Sequence, residues 1–245
     1  MKAVLIGATR GMGRSLARLM AARGDSLALL GRDPEELRRS AADLETAGSP
    51  LVATVACDLL KPDTFEPALD AAATALGGTF DTVVVTAGIF ATQDALEQDA
   101  ALRDRVLVTN FVNTIHFCEA ARTRLLAAGG GTLCVFSSVA GDAARKPVII
   151  YGATKAGLSH YLTGLDHKFR ADGLATVLVK PGFVRTSMTA GLPEPPFAGD
   201  PDVVARTVLG AIDRKTPVVY APAPWRLVML VIRNLPRAVM RKIGF

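Results

Sequence analysis

The chain has 245 residues, half of them hydrophobic, and shows no internal repeat and no low-complexity tract. These features fit one α/β domain with a large core and exclude a repeat protein or a disordered chain. The net charge of +5 belongs to the C-terminal end, where seven basic residues and no acid follow Asp213, so the first 213 residues carry −2. We therefore expect no nucleic-acid-binding surface on the main body.

Apolar runs alternate with helical patterns along nearly the whole chain. The candidate strands are residues 2–7, 26–31, 51–56, 81–87, 131–137, 174–180 and 217–221. The candidate helices are residues 11–24, 33–47, 64–77, 95–127, 148–171 and 200–214. This alternation predicts a doubly wound (Rossmann) α/β fold, with a parallel sheet of about seven strands and helices on both faces. The Gly- and Pro-rich segment 186–199 follows the sixth strand and predicts a loop suited to be a substrate lid.

The residue types that form disulfides and metal sites are scattered. Cys57, Cys118 and Cys134 lie in apolar surroundings, which indicates reduced core thiols and a cytoplasmic protein. Neither the cysteines nor the three histidines have metal-ligand spacing, so we predict no metal site. The apolar N-terminus, MKAVLIG, is too short for a signal-peptide core or a membrane span.

The glycine-rich segment GATRGMG follows the first candidate strand and leads into the first candidate helix. Gly7, Gly11 and Gly13 permit a tight turn and a close approach of the backbone to a pyrophosphate. The helix N-terminus then offers N–H groups and the positive end of the helix dipole. Since the strand–loop–helix context is the required one, the segment indicates dinucleotide binding more strongly than a simple turn.

The spacing of this segment, together with later ones, resembles the short-chain dehydrogenase/reductase family over nearly the whole chain. The later segments are VTAG (85–88), SSVAG (137–141), YGATK (151–155) and PGFVRT (181–186). Ser138 precedes Tyr151 by thirteen residues, the usual family interval. Two positions depart from the family pattern: Ile6 stands where a threonine is usual, and Thr86 replaces an asparagine.

The resemblance implies a catalytic set of Ser138, Tyr151, Lys155 and Asn110. Tyr151 would give a proton to a substrate carbonyl oxygen as hydride reaches the carbon, and Ser138 would hydrogen-bond that oxygen. On a helix, Tyr151 and Lys155 share one face, and a protonated lysine there is expected to lower the tyrosine pKa. The resemblance also places Lys155 on the nicotinamide ribose, and it gives Asn110 a water that passes protons to Lys155.

The resemblance implies a long list of cofactor-binding residues. They are Gly7, Thr9, Arg10, Gly11, Met12, Gly13, Arg32, Asp58, Ala87, Gly88, Tyr151, Lys155, Pro181, Gly182, Val184 and Thr186. An NAD-specific site has an acid after the second strand, but this chain has Gly31 and Arg32 there. Two arginines, Arg10 and Arg32, suit a 2′-phosphate, so we predict NADP(H). Asp33 is the competing acid, but it fits a helix N-cap better.

The C-terminal segment 222–245 predicts a helical, amphipathic tail of the same domain, whose residues 1–221 form the NADP-binding and catalytic part. Arg226, Arg233, Arg237 and Arg241 fall close to one helical face, and apolar residues cover much of the remainder. Pro236 interrupts the pattern, so the tail is too short to span a bilayer. Two interpretations remain open: a hairpin in the membrane interface, or an arm that packs on the body or on a partner subunit.

The tail, with residues 137–158 and 179–188, resembles the decaprenylphosphoryl-2-keto-ribose reductases within the family. This implies NADPH-dependent reduction of a polyprenyl-phosphate-linked 2-keto-pentose, in the cytoplasm at the inner face of the cell membrane. Two alternatives stay open: reduction of a soluble or carrier-linked ketone, and a non-catalytic NADPH-sensing subunit. Family members commonly form homo-oligomers through the helices that correspond to 95–127 and 148–171, the family's fifth and sixth, and we expect the same here.

Overall fold

A parallel seven-stranded sheet forms the centre of the computed structural model, which describes residues 1–242. The strands are β1 (Lys2–Ile6), β2 (Ser26–Gly31), β3 (Val52–Ala56), β4 (Thr82–Val85), β5 (Gly131–Phe136), β6 (Leu174–Pro181) and β7 (Val218–Ala221). Their order is β3-β2-β1-β4-β5-β6-β7, with every neighbouring pair parallel. The predicted doubly wound sheet is confirmed, and each strand ends within two residues of its predicted bounds.

Helices cover both faces of the sheet. They are α1 (Gly11–Ala22), α2 (Pro34–Thr46), α3 (Phe65–Ala75), α4 (Gln93–Gln98), α5 (Ala100–Leu107), α6 (Asn113–Ala127), α7 (Ile149–Phe169), α8 (Pro201–Asp213), α9 (Trp225–Arg233) and α10 (Arg237–Lys242). Successive strand residues point to opposite faces. Leu5 and Leu29 therefore pack with α1, α2 and α8, while Val4 and Ile6 pack with α3, α6 and α7.

The prediction of one continuous helix over residues 95–127 is wrong. Asp99 has an extended backbone, and its side chain accepts a hydrogen bond from Leu102 N, so one helix ends there and α5 begins. A π-helical turn at Val108–Val112 then separates α5 from α6. The Thr114 hydroxyl donates to Thr109 O, five residues back, at 2.7 Å. Asn110 lies inside this turn, and π-turns are frequent at functional sites.

The site edge of the sheet follows from the strand order. β1 and β4 are neighbours, but the chain leaves β1 for β2 on one side and leaves β4 for β5 on the other. Ligands of open parallel sheets bind at the carboxyl ends of such strands. Gly7 follows β1 and Thr86 follows β4, so the predicted phosphate loop lies at this switch point.

The C-terminal tail packs one of its faces on the body of the chain. Trp225, Met229 and Ile232 are buried in a small cluster with Val139, and the Lys146 ammonium donates to Arg241 O at 2.7 Å. None of the described helices is long and apolar enough to cross a membrane. Residues 243–245 of the predicted tail lie outside the described residues.

A buried ion pair joins three segments beside the site. The Lys180 ammonium, at the end of β6, contacts the Asp142 carboxylate in the loop after β5, and both side chains are nearly buried. The Tyr220 hydroxyl of β7 donates to the other Asp142 oxygen at 2.7 Å. Burial and the Asp142 carboxylate together raise the pKa of Tyr220 to about 12, so its phenol stays a donor at neutral pH.

Asp142→Asn should destabilise the fold by roughly 3 kcal/mol, because it leaves a buried Lys180 ammonium without its counter-charge. Urea denaturation measures this change. Asp63→Asn, at an exposed position, is the matched control and should shift stability by less than about 0.5 kcal/mol. Adding Lys180→Met to Asp142→Asn should recover part of the loss. Equal stability of the two single variants would contradict a structural role for the pair.

Candidate active site

The glycine-rich loop is packed so closely against the end of β4 that Gly7 and Gly13 have no room for a side chain. Gly7 has φ +93°, and a Cβ there would lie 2.5 Å from Ala87 N. A Cβ at Gly13 would lie 2.5 Å from the Thr86 hydroxyl oxygen. α1 begins at Gly11 without a side-chain cap. The loop and this helix start therefore form a cradle whose shape and dipole fit a pyrophosphate.

Thr86 is the residue against which the loop is built. Its hydroxyl donates to Gly7 O at 2.9 Å and lies 3.2 Å from Ile6 O. The resemblance described above makes Thr86 a departure from the expected asparagine. In this structure the Thr86 hydroxyl connects the end of β4 to the glycine loop after β1.

A cleft of about 320 Å³ extends from this cradle across the ends of β1, β2 and β3. Its walls include the predicted cofactor residues Gly7, Thr9, Arg10, Arg32, Asp58, Ala87 and Gly88. Gly11 and Gly13 lie in the cradle itself, with Met12 between them at the start of α1. The volume lies at the lower end of the range typical of ligand pockets. The cradle and the cleft together fit a dinucleotide.

The predicted PGFVRT residues approach the cradle from the other side. Pro181 ends β6, and Val184 pairs with Gly199 in an isolated bridge, which closes the loop 186–199 at its base. The Thr186 side chain lies 3.4 Å from the place where a Gly11 Cβ would be. A side chain at Gly182 would overlap the Trp225 indole, so this glycine is required by tail packing.

Two arginines lie at the far end of the cleft, together with Asp33, whose carboxylate already has hydrogen-bond partners. Arg32 is exposed, and Arg10 forms a 3.3 Å ion pair with Glu36. This pair is solvent-exposed and worth at most about 1 kcal/mol, so Arg10 can turn to another anion at small cost. The Asp33 carboxylate accepts from Glu35 N and Glu36 N, as the predicted N-cap of α2 requires.

Ser138 and Tyr151 come together where β5 ends and α7 begins. The Ser138 hydroxyl caps a short turn by accepting from Ala140 N at 3.1 Å, and it also interacts with the Tyr151 phenol. The Phe90 ring covers Tyr151 edge-on, with 5.1 Å between the ring centroids. One turn later on α7, the buried Lys155 ammonium lies 5.8 Å from the Tyr151 ring centroid.

The expectation that Lys155 lowers the Tyr151 pKa is wrong in this structure. Burial raises the pKa of Tyr151 to about 12, and the opposing influences come from Ser138 and from the Arg145 guanidinium. The Lys155 ammonium instead donates to Phe136 O at 3.0 Å, and burial lowers the pKa of Lys155 to about 8. The charge of Arg145, on the loop between Ser138 and Tyr151, opposes the effect of burial on the pKa of the phenol.

Asn110 forms two hydrogen bonds with the backbone of Ile89, the residue after Gly88. Its side-chain amide donates to Ile89 O and its oxygen accepts from Ile89 N, both at 2.7 Å. A Cβ at Gly88 would lie 3.2 Å from the Asn110 oxygen and 3.6 Å from the Lys155 ammonium. Asn110 and Lys155 thus flank the same glycine at the cleft wall. The predicted water relay through Asn110 stays a prediction.

Several residues that position Ser138, Tyr151 and Lys155 were not identified from the sequence. The Ser137 hydroxyl donates to Lys155 O at 2.8 Å and fixes α7 to the end of β5. Gly141 and Gly152 let the intervening loop touch the helix backbone. Phe90 and Arg145 approach Tyr151 from separate loops. The glycines gave a local signal, but nothing near Phe90 or Arg145 in the sequence indicates a partner at Tyr151.

Comparison with known proteins gives the same family as the motifs. A family model described as short chain dehydrogenase matches residues 1–196. An uncharacterized oxidoreductase of Mycobacterium tuberculosis is 33% identical over 240 residues, which cover 98% of this chain and 96% of that protein. Carbonyl reductase family member 4 of Xenopus tropicalis is 30% identical over 215 residues, covering 84% of this chain and 88% of that protein.

A solved structure shares the fold. The short-chain type dehydrogenase/reductase from Mycobacterium ulcerans superimposes with a TM-score of 0.80 at 21% identity, over 89% of this chain and 87% of that chain. The family model covers most of the sequence, and the relatives match over most of their own length. The chain therefore belongs to the short-chain dehydrogenase family, oxidoreductases that act on a CH–OH/C=O pair with a nicotinamide dinucleotide.

Proposed function

We propose that this chain is an NADPH-dependent reductase that converts a ketone to a secondary alcohol, with a polyprenyl-phosphate-linked 2-keto-pentose as its substrate. One observation carries the reductase assignment. Ser138 meets Tyr151, while Lys155 and Asn110 flank Gly88 at the wall of the dinucleotide cleft. A non-catalytic sensor of NADPH would have no use for a serine and a tyrosine placed in this way.

The side chains divide the work of carbonyl reduction. A bound nicotinamide supplies the hydride that reaches the carbonyl carbon. Tyr151 keeps its proton at neutral pH, because burial raises its pKa to about 12, and it delivers that proton to the carbonyl oxygen. Ser138 donates a hydrogen bond to the same oxygen as charge develops there. The Arg145 guanidinium stabilises the phenolate that remains after proton transfer.

The lipid-linked substrate is supported by the C-terminal part of the chain. The tail and the segments 137–158 and 179–188 resemble the decaprenylphosphoryl-2-keto-ribose reductases, and a relative is described as a carbonyl reductase. A cationic tail beside Val139, the residue after Ser138, attracts a substrate phosphate. The proposal places the enzyme in the cytoplasm at the inner face of the membrane. A soluble or carrier-linked ketone is the alternative that keeps the same chemistry.

We also propose a homo-oligomer formed through α6 and α7 with the preceding π-turn. Val112 and Ile149 are apolar and exposed there, at 43% and 52%. Apolar side chains on neighbouring exposed elements favour burial against a second copy. Sedimentation velocity of the protein with Val112→Glu and Ile149→Glu should show a smaller species than the unmodified protein.

The deciding experiment follows NADPH oxidation with a short-prenyl phosphoryl 2-keto-ribose beside a panel of soluble ketones. The proposal expects turnover of the lipid-linked sugar and a loss of at least about 100-fold in kcat for Tyr151→Phe, because the proton donor is removed. Binding of NADPH by Tyr151→Phe, followed by fluorescence, should persist. Turnover of soluble ketones alone would overturn the substrate assignment. Unchanged turnover by Tyr151→Phe would overturn the catalytic one.

Arg32→Asp tests the preference for NADPH. Loss of a charged hydrogen bond to a 2′-phosphate should raise the NADPH dissociation constant at least about tenfold and leave that for NADH nearly unchanged. Isothermal titration with both dinucleotides measures this. Arg206→Asp changes the net charge equally, at an exposed position on α8 away from the cleft, and should leave both constants unchanged. Equal weakening of NADPH and NADH by Arg32→Asp would refute the assignment.

Lys155 should make stability depend on pH. Because burial lowers its pKa from 10.5 to about 8, the unfolded chain binds more protons at this residue between those pH values. The free energy of unfolding should therefore rise with pH in that window, by about 3 kcal/mol relative to Lys155→Met. Urea denaturation of the two proteins from pH 7 upward measures the difference. Parallel stability curves would show that Lys155 titrates at its ordinary pKa.

A further inference from the structure

The most exposed large hydrophobic side chains of the described residues belong to one part of the molecule. Leu227, Leu230 and Val231 on α9 are 67%, 60% and 56% exposed, and Phe197 at the end of the loop 186–199 is 57% exposed. The next most exposed is Ile149, at 52%. Contiguous exposed apolar residues of this kind mark an interaction site.

α9 is apolar on two opposite faces. At 100° per residue, Trp225, Met229 and Ile232 share the inner face, which is buried against Val139 and its neighbours. Leu227, Leu230 and Val231 point the other way and form what we call the α9 outer face. An apolar face of a surface helix is normally buried against another part of the protein or a partner. The described part of the chain leaves the outer face exposed, so we expect a partner to cover it.

The basic residues of the tail indicate which kind of partner covers this face. Between residues 222 and 242 there are five basic side chains and no acid, namely Arg226, Arg233, Arg237, Arg241 and Lys242. A second copy docked face to face would bring these cations against one another, which opposes association. An anionic lipid bilayer fits both features, because its interior accepts the apolar side chains and its headgroups attract the cations.

The start of α9, through its inner-face residue Trp225, is joined to the loop 186–199. The Trp225 indole N–H donates to Phe197 O at 3.0 Å. Gly199, which closes the loop, has no room for a side chain because Pro222 lies against it. The start of α9 and the end of the loop are therefore fixed to each other. Phe197, with φ +64°, holds a strained backbone while its ring stays exposed.

We propose that the α9 outer face and Phe197 form one surface that docks on an anionic bilayer, with α9 still packed on the body. Docking holds the loop 186–199 at the lipid surface, where Trp225 joins its Phe197 to Val139, the residue after Ser138. The choice of a lipid-linked substrate rests on the proposed function, whereas the docking itself does not depend on it.

Vesicle co-sedimentation of the full chain tests the surface. The unmodified protein should bind phosphatidylcholine vesicles that contain phosphatidylglycerol, and bind pure phosphatidylcholine vesicles much more weakly. The double variant Leu227→Glu, Leu230→Glu should lose at least tenfold in the partition coefficient for the anionic vesicles. The double variant Leu51→Glu, Val203→Glu is the matched control, because it changes exposed apolar residues and net charge equally but elsewhere. Equal loss in both double variants would overturn the proposal.

Fluorescence distinguishes docking of a packed α9 from insertion of a detached tail. Trp225 is the only tryptophan, and it is buried on the inner face. Brominated lipids should therefore quench it weakly when the protein binds vesicles. A Leu230→Trp variant in a Trp225→Phe background should be quenched strongly. Strong quenching of Trp225 itself would overturn docking through the outer face.

Two further readouts separate this inference from the proposed function. Unchanged turnover of a soluble ketone by Leu227→Glu, Leu230→Glu would show that the site is intact and support a defect confined to docking. Vesicle binding without any turnover of the lipid-linked keto-sugar would support docking and reject the substrate. Concentration-dependent dimerisation that the same variant abolishes, with no vesicle binding by the unmodified protein, would replace the bilayer with a second copy.

Discussion

The close approach of the glycine loop to the end of β4 is the constraint on which the rest of the site depends. Gly7 and Gly13 leave no space for a side chain, and the Thr86 hydroxyl fills the gap by donating to Gly7 O. The contact lies where β1 and β4 part toward opposite sides of the sheet. It fixes the start of α1 against the end of β4, and Gly88, two residues after Thr86, lies beside Asn110 and Lys155. The glycine loop and the candidate catalytic residues Asn110 and Lys155 therefore meet at the end of β4.

The pKa values of Tyr151 and Lys155 are set by burial more than by the spacing of the two residues on α7. Burial, to which the Phe90 ring contributes, raises the pKa of Tyr151 and lowers that of Lys155. Both shifts favour the neutral form of the side chain. A phenol that keeps its proton suits reduction, and Arg145 offers a charge for the phenolate that follows. The buried lysine costs stability at neutral pH, a common feature of residues kept for function.

The C-terminal helix α9 has two apolar faces, one packed on the body and one exposed. Its inner face completes the body beside Val139, and the Trp225 indole lies against Gly182 at the end of β6. The Asp142–Lys180–Tyr220 cluster lies in the same region and joins the loop after β5 to the last two strands. The two interpretations of the tail in the sequence, packing and membrane contact, therefore need not exclude each other.

The sequence by itself determined the strands, the parallel sheet and the phosphate loop, because these depend on local patterns: continuous apolar runs and glycines directly after a strand. It also determined that Tyr151 and Lys155 share a helical face. Only the tertiary structure decided that Asp99 and the π-turn divide the predicted helix 95–127, and that the charge of Arg145 opposes the effect of burial on the pKa of Tyr151. It likewise decided which apolar face of α9 is buried. Periodicity shows that a helix has an apolar face, but the partner comes from a distant segment, and only folding brings the two together.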